Sequence, residues 1–131
     1  MGERGRLELT LPPAPASVAE ARARVLDAFG PDLAADERQT LQLLISELVT
    51  NAVRHGKSKQ PVELHAQWDD EVRIEVIDHG QGFLPRPRAG DLEDPGGFGL
   101  YLVGRLADRW GVQTDDTTCV WFVLDRTQNG G

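Results

Sequence analysis

Glu47 and Asn51 lie four residues apart in a long stretch of helical apolar periodicity, so both side chains project from one helix face, one turn apart. An amide oxygen is a hard donor suited to Mg2+, which takes one or two protein oxygens and completes its shell with phosphates and water. A carboxylate one turn back can accept the proton of a hydroxyl or water that attacks a terminal phosphate. Glu-x-x-x-Asn is also commonplace on solvated helices. Asn in the middle of an otherwise strong helix is nonetheless a local cost that asks for a reason. His55, at the end of the same stretch and before Gly56, either complements the helix dipole or touches phosphate.

A second segment, Asp78-His79-Gly80-Gln81-Gly82-Phe83, ends an apolar strand pattern. Its carboxylate can accept a hydrogen bond from an exocyclic amine such as that of adenine, while Gly80 and Gly82 let the backbone turn beneath the base. An ordinary Asp-Gly turn is the plainer reading. A third segment, Gly96-Gly97-Phe98-Gly99-Leu100, precedes a helical pattern, where glycine backbone and free N–H groups can surround phosphate oxygens. It matches neither the dinucleotide fingerprint nor a P-loop. Arg86 and Arg88, between the second and third segments, either reach a terminal phosphate or are solvated charges. Together the segments supply what an ATP pocket needs.

The elements that must position these residues follow from periodicity. Arg6 to Leu11 alternates with period two and is stopped by Pro12-Pro13, as a half-buried strand would be. Ser17 with Glu20 three residues on reads as a capping box for a helix that places Val18, Ala21, Val25, Leu26 and Phe29 on one stripe and ends at Gly30-Pro31. The longest helix runs from about Ala34 to His55 through Leu41, Leu44, Ile45, Leu48 and Ala52. Pro61 to Trp68 and Val72 to Asp78 form a hairpin around Asp69-Asp70. The Pro- and Gly-rich stretch from Gly82 to Gly97 has the length of a lid, centred on about 83–96. A helix from Gly99 to Trp110 and two strands, Val112 to Asp115 and Thr118 to Leu124, complete the order. That order predicts an α+β fold: a two-layer α/β sandwich with a mixed, mostly antiparallel sheet and helices on one face. Two strand pairs joined by short turns argue against a doubly wound parallel sheet.

The 131 residues fit one domain, 1–131, with a core over about 6–125. A formal charge of −7 sets the surface field against nucleic acid, so no nucleic-acid partner is expected. No apolar run suits a signal peptide or a membrane span, and the expected location is the cytoplasm. Cys119 is the single cysteine, and its strand pattern predicts a small core residue rather than a reactive thiol.

Glu47-Leu48-Val49-Thr50-Asn51-Ala52-Val53-Arg54-His55-Gly56, Asp78 to Phe83 and Gly96 to Val103 resemble the asparagine box and the two glycine boxes of the superfamily of gyrase, heat-shock chaperone, histidine kinase and MutL proteins (GHKL, the Bergerat ATP-binding fold). The short length and the run Leu106-Ala107-Asp108-Arg109-Trp110-Gly111 resemble, more narrowly, bacterial anti-sigma-factor serine/threonine kinases. The resemblance implies ATP and Mg2+ as cofactors, with Asn51 on the metal, Glu47 as general base, Asp78 on adenine and the turn of Gly96, Gly97, Gly99 and Leu100 at the phosphates. It also implies two partners, a sigma factor and an anti-sigma-factor antagonist phosphorylated on serine, and it admits a homodimer. One departure stands out. Where the family often has Gly-Lys-Thr before the last strand's Val-Trp, this chain has Thr117-Thr118-Cys119 before Val120-Trp121. The threonine that assists adenine recognition is therefore replaced by Cys119, a weaker partner, unless the register slips to Thr118.

Two functions of different class share such a pocket: a serine kinase that antagonises a sigma factor, and an ATP-binding interaction module that regulates a partner without phosphoryl transfer. The catalytic half of a two-component histidine kinase fits less well, because no histidine precedes Glu47 in this sequence.

Overall fold

The computed structural model describes residues 4–30, 33–55, 60–79, 102–114 and 117–126. Five strands form one sheet in the order β1-β2-β3-β5-β4: β1 Gly5–Leu11, β2 Val62–Trp68, β3 Glu71–Asp78, β4 Arg109–Thr114 and β5 Thr118–Asp125. Every strand pair is antiparallel, so the mixed sheet expected from the sequence is antiparallel throughout the described residues. Two helices, α1 Ala16–Phe29 and α2 Ala35–His55, pack on it and on each other. No helix among the described residues is long and apolar enough to cross a membrane.

Period-two alternation gives the sheet two unlike faces. Leu9, Leu11, Val62, Leu64, Ala66, Val72, Ile74, Val76, Val120 and Phe122 point to the helices and are buried. Each large side chain among them contributes about 1.5–3 kcal/mol when fully buried. From the helices come Ala21, Val25, Leu26 and Phe29 of α1, and Leu41, Leu44, Ile45, Leu48, Val49 and Ala52 of α2. Phe29 meets Trp68 with ring centroids 4.3 Å apart, closing the core where α1 ends. Gly30 then turns the chain with φ 65°, a conformation open to glycine. At the start of α2, the Ala34 N–H donates to Glu37 Oε1 at 3.0 Å, and Asp36 and Glu37 place negative charge on the first turn.

Two expected elements differ. The capping box at Ser17 does not form: α1 begins at Ala16 behind Pro15, and Ser17 is buried within the first turn, its hydroxyl donating to the Pro12 carbonyl at 2.6 Å. The Pro12 carbonyl, which also accepts the Ala14 N–H at 2.8 Å, takes the hydroxyl, and Glu20 instead pairs with Arg24 at 3.3 Å. The helix expected to run to Trp110 is helical only over 102–106 among the described residues, and Trp110 lies in β4 opposite Phe122. Leu106 and Trp110 suit a helical stripe, yet the Asp108 N–H donates to the Val123 carbonyl at 3.0 Å and Asp108 Oδ2 accepts the Asp125 N–H at 2.6 Å. These bonds draw the chain into the sheet before another turn can close.

Candidate functional site

Asn51 sits on α2 at 7% exposure, and among the described residues its side-chain Oδ1 is buried with no hydrogen-bond partner. Leaving a buried amide oxygen unsatisfied costs about 1–3 kcal/mol, so such an atom calls for a ligand. Glu47, one turn back on the same helix, is half-buried, and burial pushes its carboxyl above the ordinary range. Leu48, Val49 and Ala52 around them are buried and hold this part of α2 against the sheet.

Asp78 is the last residue of β3 and is half-buried. It continues the inward series Val72, Ile74 and Val76, so its side chain leaves the sheet on the helix-covered face. Thr118 stands directly opposite it on β5 and is buried on the same face. Cys119, one residue on, belongs to the other face beside Ile77 and Gln113. Across the β3–β5 ladder the Thr118 hydroxyl, and not the Cys119 thiol, stands beside Asp78. Cys119 is half-buried on the open face rather than in the core, and its thiol is pushed up first by burial and then by Glu75.

The path of α2 relates the two groups. Leu41 of α2 and Val72 of β3 line one cavity of about 170 Å³ at the start of both elements. Asn51 lies about 15 Å further along the helix, and Asp78 about 20 Å further along the strand. α2 packs on β3.

The described residues thus hold Glu47, Asn51, Asp78 and Thr118 on one side of the sheet. The side chain of His55 and the residues Gly80, Gly82, Arg86, Arg88, Gly96, Gly97, Gly99 and Leu100 lie outside the described residues, as does the stretch read as a lid. No group of three or more His, Cys, Asp or Glu among the described residues could hold a metal ion. Asn51 Oδ1 fits a different coordination, one hard protein oxygen completed by phosphates and water, which is how Mg2+ is commonly held beside a nucleotide. Sequence reasoning missed the partner of His79: its Nε2 lies 3.0 Å from Glu63 Oε2 on the opposite sheet face. No local signal could have revealed that pair, since Glu63 on β2 and His79 just past the end of β3 lie sixteen residues apart.

Residues 11–124 match the model of a protein family described as the histidine kinase-like ATPase domain. No curated protein matches the chain.

Proposed function

The chain belongs to the histidine kinase-like ATPase domain family, and from that premise we propose that it is a regulatory protein serine kinase of the anti-sigma-factor type that uses Mg-ATP. The observation that carries the reading is Asn51 Oδ1, buried and without a hydrogen-bond partner among the described residues, one turn from a carboxyl whose proton affinity is raised. Asp78 accepts from the exocyclic amine of adenine, and Thr118 supports it from β5. Asn51 would hold Mg2+ through its amide oxygen, and the ion would neutralise charge on the phosphates when bound. Glu47 takes the proton of the attacking serine hydroxyl. The serine oxygen forms a bond to the terminal phosphorus, the bridging oxygen–phosphorus bond breaks, and ADP leaves with the electron pair. A raised proton affinity suits Glu47 to that role, since a base works best when its pKa approaches the working pH.

The partners in this reading are an antagonist protein carrying the acceptor serine and a sigma factor held in alternation with it; the narrower resemblance of the run Leu106 to Gly111 supports them. The test is incubation with Mg-ATP and a candidate antagonist, followed by intact mass. One added phosphate on the antagonist, lost with Glu47→Ala, is the expected result. No transfer to any partner, with tight metal-dependent ATP binding retained, would instead identify an ATP-gated interaction module.

A further inference from the structure

The cavity of about 170 Å³ that Leu41 and Val72 line lies outside the proposed site, about 15 Å back along α2 from Asn51. Leu33, Leu41 and Val72 are buried against it, and Leu124 of β5 is half-buried there. Leu106 stands at its open side with 41% of its surface exposed. An apolar cavity of about 150 Å³ accepts a group the size of benzene. This one therefore has room for a single large apolar side chain.

The charge around that apolar lining has one sign in excess. Among the described residues, the carboxylates of Asp36, Glu37, Asp108 and Asp125 line the cavity against the guanidinium of Arg126, which lies 3.8 Å from Glu37. Two of the acids are held in place by the backbone: Asp36 Oδ1 accepts the Glu37 N–H at 3.0 Å, and Asp108 Oδ2 accepts the Asp125 N–H at 2.6 Å. A carboxylate accepts at several further positions, so both can still receive a cationic donor without being ordered first. A second copy of this chain, with a formal charge of −7, suits such a mouth poorly.

We propose that the cavity docks a basic segment of a partner protein, which inserts one large apolar side chain and sets flanking lysine or arginine on Asp36 and Asp108. The buried anchor supplies most of the affinity. The acids select the segment by opposite charge and reject acidic ones. Docking here requires nothing of Asn51 or Asp78, so it stands whether or not nucleotide is bound.

Methyl NMR titration of the full chain with the peptide acetyl-Lys-Arg-Leu-Arg-Lys-amide, up to about 10 mM and without nucleotide, tests this. Saturable shifts of the Leu33, Leu106 and Leu124 methyls are expected, with a dissociation constant on the order of a millimolar. The same peptide with serine in place of leucine should bind at least about tenfold more weakly, having lost the burial of its anchor. Leu106→Ala should weaken the leucine peptide about fourfold, the worth of one buried methylene, and Asp36→Asn about 1.5- to 5-fold, the span of partly exposed ion pairs. Both positions are exposed, so both variants should keep the wild-type melting temperature. The comparison of the two peptides on wild type decides the matter without any variant. Equal binding of the leucine and serine peptides reduces the effect to attraction by an acidic surface and overturns the docking site. Equal binding of a leucine peptide flanked by glutamates overturns it too, as does the absence of saturable shifts at these methyls.

Discussion

Asp78 and Thr118 face one another at the end of the β3–β5 ladder, on the sheet face that α2 covers, while Cys119 is turned to the opposite face. A single step along a strand thus separates a hydroxyl placed beside the candidate adenine acceptor from a thiol on the wrong side of the sheet.

Substitutions at these three positions should rank accordingly. Removing the Thr118 hydroxyl with Thr118→Val should weaken ATP binding about fivefold, the worth of one neutral hydrogen bond. Asp78→Ala should cost about 10- to 100-fold, as expected for a bond to a charged group. Cys119→Ser should change affinity by less than about twofold. Calorimetry on the three variants checks the ranking, and a Cys119 effect larger than that of Thr118 would contradict the placement.

Asn51→Ala removes an amide whose oxygen has no partner among the described residues, so the free protein should lose little stability. Its response to ligand should change far more. Wild type at nucleotide concentrations about a hundredfold above Kd gains about 2.7 kcal/mol. The variant should lose the Mg2+-dependent part of that gain in thermal shift assays with and without Mg2+.

Glu47 carries a stability cost with a definite sign. Its folded-state carboxyl binds a proton more tightly than an unfolded one, so the folded protein holds more protons above pH 4.5 and stability falls as pH rises from there through the raised folded value. Glu47→Gln should therefore melt at the same temperature as wild type or up to about 2 °C higher near neutral pH, after discounting for partial exposure. Phosphoryl transfer should be lost in the same protein. A clear drop in melting temperature would mean that the carboxylate is held by favourable contacts instead.

Gly111 on β4 backs directly onto Trp121, where an added Cβ would stand 2.8 Å from the ring. Arg73 lies against the same ring, 4.5 Å from its centroid, so a shift of the ring disturbs that contact as well. Gly111→Ala should cost about 1–3 kcal/mol by overpacking, measurable in urea titration. Gly111→Ala combined with Trp121→Leu should recover part of that loss.

Much of the fold was legible from local periodicity. Strand β1, helix α2 and the hairpin around Asp69-Asp70 lie within a residue or two of their expected bounds, because alternation and the three-and-four spacing are set by chain geometry alone. Trp110 shows the limit of that reasoning. Its spacing from Leu106 suits a helix, and only the bonds of Asp108 to Val123 and Asp125 assign it to β4. The same holds for Ser17, whose hydroxyl chose the Pro12 carbonyl over a helix N-terminus.

The sequence by itself determined the family, the order of the described strands and of α1 and α2, and the chemical types proposed for the site: a carboxylate, an amide and an acid at a strand end. Those are properties of residue identity and short-range spacing. The tertiary structure decided that Thr118 and not Cys119 accompanies Asp78, that the Asn51 oxygen is buried without a hydrogen-bond partner among the described residues, and that Glu63 reaches His79 behind the strand end. An alternating strand has two equivalent faces until helices cover one of them, so which side chains meet is settled only when the layers pack.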